Sequence, residues 1–271
     1  MIINNKVLVC YLFTKFDEYD DLSKFIDNYN SFSSGYNHKL VICFKLLDDD
    51  KFNYVKDFLV EKKVKFELFN DTNKNNDFDF GSYSRIADKY KDYLIFFLNA
   101  SSRPVINNWL KLVVNNYSSN TIIGTTASYE SHSSNIKLKK SYKIFSFILK
   151  KMINSIYFNS FPNPHLRTTG FLIYAKDYIR FYKNKSCKNK YDAWKIESGK
   201  SSLTNFFLNL NFNILLINSD GKSFKFVDWH ISNTYCFKET SKILISDKHT
   251  RKFEKMNHKE RKEIKKVVWG N

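Results

Sequence analysis

Three prolines and seven glycines in 271 residues are too few for a Pro-rich or Gly-rich linker, a collagen-like repeat or a low-complexity tail. The four cysteines, Cys10, Cys43, Cys187 and Cys236, are widely separated. That spacing supports neither a zinc site nor a disulfide framework, so they read as free thiols. No apolar run reaches the roughly 18 residues that cross a bilayer. The start, MIINNKVLVCYLF, enters a strand pattern with no small-residue cleavage site, and the expectation is a cytoplasmic chain. Arginine is scarce too, occurring only at 85, 103, 167, 180, 251 and 261, three of them beside polar elbows. A guanidinium offers a planar fork that suits phosphate, which singles out Arg85, Arg103 and Arg167.

What is abundant is positive charge and apolar bulk. A hydrophobic content of 43% with 17% aromatics suffices for one large α/β core. The net charge of +17 attracts phosphates and anionic lipids. Abundant Lys, Asn, Ile, Phe and Tyr are also what an AT-rich genome produces whatever the function. The basic residues are spread along the chain without a nucleic-acid recognition motif or paired stacking aromatics, so no nucleic-acid partner is expected.

Apolar strands are predicted at about 6–13, 40–46, 64–69, 93–98 and 121–125, with helical segments at about 19–29, 50–62, 82–91 and 106–116 between them. Such β-α-β alternation calls for a mainly parallel central sheet flanked by helices, with ligands at the carboxyl ends of the strands. The run Tyr93 to Pro104, YLIFFLNASSRP, ends a continuous apolar strand at a polar elbow, the kind of place where open α/β sheets bind ligands. Beyond residue 130 a basic apolar segment spans 136–158, the loop FPNPHLRTTG leads to a strand at 170–175, and a charged linker, KNKSCKNKYDAWK, precedes ESGKSSLT. That motif is predicted to open a helix running to about 212, before a strand at 213–218. No internal repeat divides the chain, and a single domain over 1–271 is expected.

Asp77-Phe78-Asp79-Phe80-Gly81-Ser82-Tyr83 precedes the helix that leads to Asn99. Gly81 permits close backbone approach, and a helix beginning near Ser82 presents free amides to an anion. With Leu98-Asn99-Ala100-Ser101, Gly170-Phe171-Leu172-Ile173 and Glu197-Ser198-Gly199-Lys200 in order after it, the chain resembles the GT-A nucleotide-sugar glycosyltransferases. The likeness is to family-2-like enzymes of bacterial surface polysaccharide, O-antigen or capsule synthesis. It implies a GT-A, Rossmann-like fold with a nucleotide-sugar-binding half at 1–130 and a mixed acceptor-side half at 131–271 that ends in the basic tail. It also implies transfer of a sugar from a nucleotide-diphosphate donor to a glycan or lipid-linked oligosaccharide hydroxyl, with inversion. In that comparison Tyr11 and Phe13 border the base, and Asp79 and Gly81 lie by the ribose and diphosphate. Arg85, Asn99, Ser101 and Arg103 hold the phosphates. Glu197, placed at a helix N-terminus, is the general base, and His165, Arg167 and Asp228 face the acceptor.

The chain departs from that family where Ala100 and Ser101 stand in place of the carboxylates that bind Mg²⁺ or Mn²⁺. The remaining metal candidates are Asn99, Asp247 and His249, and arginines could neutralise the leaving diphosphate instead. The same departure supports an alternative, a binding protein of glycosyltransferase-like fold without catalysis, and the net charge leaves a basic nucleic-acid-binding protein as a more remote one. Segment 136–158 suits either a core helix with a lysine-rich outer face or an interfacial helix at the inner face of an anionic membrane. The tail 251–267 reads as a solvated charged helix, with contact to an anionic membrane as the alternative.

Overall fold

The computed structural model describes residues 6–135, 144–237 and 241–270. The first half runs β1 (Val7–Thr14), α1 (Tyr19–Ser31), β2 (Lys39–Lys45), α2 (Asp49–Glu61), β3 (Glu67–Asp71), α3 (Phe78–Lys89), β4 (Leu94–Leu98), β5 (Arg103–Pro104), α4 (Trp109–Val114), β6 (Thr121–Gly124) and β7 (Ala127–Ser128). The second half runs α5 (Ile144–Tyr157), β8 (His165–Leu166), β9 (Gly170–Tyr174), α6 (Ala175–Tyr182), α7 (Lys190–Ser198), α8 (Leu203–Leu208), β10 (Asn213–Ile217), β11 (Ser223–Lys225), β12 (Ile245–Ser246), α9 (Lys248–Lys255) and α10 (His258–Trp269).

Eight strands form one sheet in the order β11-β10-β6-β9-β4-β1-β2-β3. The chain is therefore α/β, with a central sheet whose pairings β1 with β2, β1 with β4, β2 with β3 and β6 with β10 are parallel. Its continuous apolar strands are covered on both faces. Alternation along β1 sends Leu8, Cys10 and Leu12 into one core and Val7, Val9, Tyr11 and Phe13 into the other. Helices α1, α2 and α4 close the second core through residues such as Phe25, Leu59 and Trp109. Helices α3, α6, α8 and α10 close the first through Tyr83, Tyr178, Phe207 and Trp269. All four cysteines are free and buried.

Strand β9 runs against its neighbours β4 and β6, with Gly170 opposite Leu98. Its entry loop therefore arrives at the edge where β1, β2 and β4 end. That antiparallel insertion brings the segment His165–Thr169 beside the elbow at Asn99.

Four sequence expectations are corrected. Helix α3 starts at Phe78, so Gly81 lies inside its first turn instead of ahead of it. The expected linker 183–195 contributes to α7, whose N-cap Asn189 accepts a hydrogen bond from Asp192 N at 3.0 Å. Glu197 consequently sits in the last turn of α7, and the next helix starts only at Leu203 with Ser202 as its cap. The tail is two helices, α9 and α10, each opened by a capping box, and α10 buries Val268 and Trp269. Trp269 Nε1 donates to Tyr235 O at 2.9 Å, and Tyr129 N donates to Val268 O at 2.9 Å.

Candidate active site

The carboxyl ends of β1, β2 and β4, the entry loop of β9, the last turns of α7 and the starts of α3 and α9 enclose a cleft of about 820 Å³. This is the crevice position expected of an open α/β sheet. Leu12, Thr14, Phe16, Lys45, Phe78 and Asp79 line it from the ends of β1 and β2 and the start of α3. Asn99, Ser101, Arg167, Thr168, Lys248 and His249 line it from the β4 elbow, the loop before β9 and the start of α9. Glu130, His132, His165, Lys190, Trp194 and Glu197 line it from the segment after β7, from β8 and from α7, with Tyr235, Ile264, Val267 and Val268 completing the wall.

The elbow after β4 is a closed turn. Asn99 Oδ1 accepts from Ser101 N at 3.1 Å and lies 3.0 Å from Ser101 Oγ and 2.8 Å from Ser102 Oγ. Asn99 Nδ2 donates to Thr168 O at 3.2 Å, tying the elbow to the loop before β9. Tyr11 OH donates to Ala100 O from below. The asparagine amide is occupied in shaping the wall of the cleft.

Arg167 is in a different condition. Its side chain is only 15% exposed, and its nearest carboxylate oxygen, on Asp247, is 3.7 Å from Nη2. The guanidinium stacks on Tyr235, 4.1 Å from the ring centroid. Nε is buried with no hydrogen-bond partner among the described residues. A guanidinium cannot shed its proton, and with its carboxylate neighbour standing 3.7 Å off it leaves positive charge that suits an anion in the cleft. The nearby imidazoles do not add charge. Burial drives His165 down to about 4, against the Asn163 carbonyl that accepts from or faces Nδ1 at 2.8 Å. His249 is lowered by burial and by Arg167, and His132 by burial.

Among the carboxylates, Asp247 caps α9. Its Oδ1 accepts from His249 N at 3.0 Å and Thr250 N at 2.8 Å, and its Oδ2 from Thr169 Oγ1 at 2.8 Å. Burial raises its pKa, but Arg167 and these hydrogen bonds prevail and hold it below the usual range. Asp17 accepts from Thr14 N at 2.8 Å and Thr14 Oγ1 at 2.6 Å. Asp79, in the first turn of α3, has no such partner among the described residues. Desolvation, then the like charge of Asp17, pushes it up to about 6. Glu197 Oε1 accepts from Thr168 N at 3.4 Å. Among the described residues no group of three or more His, Cys, Asp or Glu side chains is spaced to hold a metal ion. Of the metal candidates, Asn99 has its carbonyl occupied and Asp247 both its oxygens, so this donor set does not fit Mg²⁺ or Mn²⁺ as it stands.

The cleft thus gathers Asp79, Asn99, Ser101, His165, Arg167, Glu197, Asp247 and His249 from the sequence candidates. The others lie elsewhere. Tyr11 and Phe13 are fully buried in β1, where Tyr11 stacks on Phe25 at 3.8 Å. Arg85 faces away, its Nε donating to Asp71 Oδ1 and its Nη1 to Asp77 Oδ2, both at 2.7 Å. Arg103 is in β5, paired with Ser246 of β12. Asp228 is exposed ahead of a short 3-10 turn, Trp229–Ile231. Gly81 is not among the residues lining the cleft, and the carboxylate of Asp77 occupies the space a Cβ would need there. Sequence reasoning missed Phe16, Phe78, His132, Lys190, Trp194 and Tyr235. Phe78 alone leaves a local mark, a left-handed φ of 53° at a non-glycine residue lining the cleft.

No protein-family model matches the sequence, and no curated protein matches it. Solved structures do resemble it. A mannosyltransferase from Pyrobaculum calidifontis, in complex with GDP-Man and Mn²⁺, is 9% identical with a TM-score of 0.48, over 84% of this chain and 60% of its own. A 4-diphosphocytidyl-2C-methyl-D-erythritol synthase from Anaerococcus prevotii is 12% identical with a TM-score of 0.48, over 84% of this chain and 97% of its own. GalNAc-T7 with UDP, GalNAc and Mn²⁺ is 12% identical with a TM-score of 0.36, over 44% of this chain and 22% of its own. The match therefore takes in less than two thirds of the length of both glycosyltransferases, 22% and 60%.

Proposed function

We propose that this chain is a transferase that moves a sugar from a nucleoside-diphosphate donor to a hydroxyl of a glycan or lipid-linked acceptor. The observation that carries the reading is Arg167. It is a largely buried guanidinium that stands 3.7 Å from its nearest carboxylate oxygen and lines a cleft at the carboxyl ends of the strands, which Asp79, Asp247 and Glu197 also line. A diphosphate satisfies such a group, and a carboxylate beyond it can take a proton.

In this reading the nucleobase packs against Phe16 and Phe78, and Asp79 accepts from ribose hydroxyls. Arg167 and Lys248 hold the diphosphate, while Asn99, Ala100 and Ser101 form the wall behind it. Neutral His165 stands on the acceptor side. Glu197 accepts the acceptor hydroxyl's proton as that oxygen bonds to the anomeric carbon. The bond from that carbon to the diphosphate oxygen breaks, and its electron pair leaves with the diphosphate. A single displacement of this kind inverts the anomeric centre.

Nucleotide-sugar binding followed by calorimetry, with and without Mn²⁺, tests the donor assignment in wild type and Arg167→Ala. The expected result is selective binding of one donor class, weakened at least about tenfold by removal of the charge-assisted contact. Glu197→Gln is expected to keep donor binding and lose transfer on the order of 10²–10⁴-fold. Undiminished transfer rejects Glu197 as the base. Tight binding to generic duplex with no response to any nucleotide sugar overturns the reading altogether.

A further inference from the structure

We infer that helix α5 is a docking element for the surface of an anionic lipid bilayer, and that it holds the acceptor end of the cleft against that surface. The inference deepens the transferase reading by naming a membrane-anchored acceptor, and rests on that reading for the acceptor alone.

Helix α5 is apolar on the wrong side for a core helix. Phe145 is 79% exposed, Ile156 65% and Met152 63%, while Asn154 is its one buried residue. At 3.6 residues per turn, Phe145, Ile148, Leu149, Met152, Ile153 and Ile156 share an arc of about half the circumference. Phe147 and Asn154 lie on the opposite side, and Lys150 and Lys151 at the two flanks. An apolar stripe with lysines at its margins fits a helix lying in a headgroup layer, where the long stems reach past the apolar face to phosphates. Its 14 residues make a helix about 21 Å long, too short to cross, and no described helix is long and apolar enough to do so.

Charge selects the occupant. The sequence from 131 to 176 contains no Asp or Glu, and 136–158 holds six lysines. Anionic headgroups complement that segment. A second copy on this face would instead bring Lys150 and Lys151 against their own counterparts, which like-charge repulsion opposes.

The helix is tied to the cleft, not appended to it. Asn154 Nδ2 donates to His132 O at 2.8 Å and accepts at Oδ1 from Tyr191 OH at 3.0 Å. His132 stacks on Trp194, with ring centroids 4.7 Å apart, and both line the cleft at the Glu197 end. A bilayer seated on the apolar arc therefore lies beside the end of the cleft that the acceptor enters.

Co-sedimentation of the whole chain with vesicles tests the inference. The chain is expected to sediment with vesicles of phosphatidylcholine and phosphatidylglycerol and to remain in solution with phosphatidylcholine alone. The double variant Ile148→Glu/Met152→Glu is expected to lose at least about tenfold in partitioning, and Lys150→Glu/Lys151→Glu several-fold. These side chains face solvent, and an unchanged melting temperature verifies that the variants fold. The inference falls if wild type stays in the supernatant or the double variant sediments equally well. It also falls if light scattering shows a dimer that Ile148→Glu/Met152→Glu dissolves. Nucleotide-sugar binding, measured in the same proteins without lipid, reports separately on the transferase reading.

Discussion

Asp79 carries the clearest sign that the cleft is built against stability. Burial and the neighbouring Asp17 raise its carboxyl to about 6, although its position in the first turn of α3 favours negative charge. Folding therefore prefers the protonated form. The stability this contributes is complete below about pH 4 and is lost as the pH rises through about 6, leaving an ionised, desolvated group at neutral pH. Asp79→Asn is expected to stabilise the chain by about 1–3 kcal/mol at pH 7.5 and to change nothing at pH 4. Urea titrations at the two pH values measure it. Donor affinity should fall below about pH 6 in wild type and be weak and flat with pH in the variant. Destabilisation at pH 7.5, or an unaltered pH profile of binding, refutes the assignment of Asp79 to the donor.

At the scale of elements, α3 shows how the same residues serve scaffold and site. Lys45, 1% exposed at the end of β2, pairs with Asp77, and Arg85 two turns into α3 bridges Asp77 and Asp71. Removing the shared carboxylate leaves a buried ammonium unpaired, so Asp77→Ala should destabilise by about 3–5 kcal/mol. Gly81→Ala puts a methyl group where that carboxylate sits and should destabilise by about 1–3 kcal/mol. Denaturant midpoints measure both, and a neutral Gly81→Ala rules out the packing role. This network was legible only in part. Continuous apolar runs made β1, β2 and β4 plain in the sequence, and the polar break made the elbow at Asn99 plain. The sequence could not show that Asn99 Nδ2 ties the elbow to Thr168, or that Arg85 turns back to Asp71 at the end of the preceding strand, because both depend on where the elements pack. The charged composition of 183–195 concealed α7, whose inward residues, Ile196 and Ser198, are few. The charges of 251–267 likewise hid the fact that α10 delivers Val268 and Trp269 to the core at its very end. Segment 136–143 lies outside the described residues, and α5 after it turns its apolar face outward, against the core-helix alternative.

At the scale of the molecule, a basic chain encloses a cleft that is not basic. The formal charge is +17, yet Asp17, Glu18, Asp21, Asp79, Glu130, Glu197 and Asp247 line the cleft against Lys45, Arg167, Lys190 and Lys248. A groove that tracked a nucleic-acid backbone would show the opposite balance. The cleft is also shared along the chain: Leu12, Asp79 and Asn99 come from the first half, and Arg167, Glu197, Lys248 and Val268 from the second. Strands of both halves pair within one sheet, with β9 inserted between β4 and β6. A ligand here therefore stabilises contacts that cross the whole chain, and unfolding should be one cooperative transition that moves as a unit when the donor binds. At a free donor concentration of 100 times Kd, the gain is about 2.7 kcal/mol, which for a chain of this size is expected to raise the melting temperature by roughly 5 °C or more. Calorimetric scans with and without the donor measure it. Two separate transitions, only one of them shifting, would show that the halves fold independently and that the cleft is not held by both.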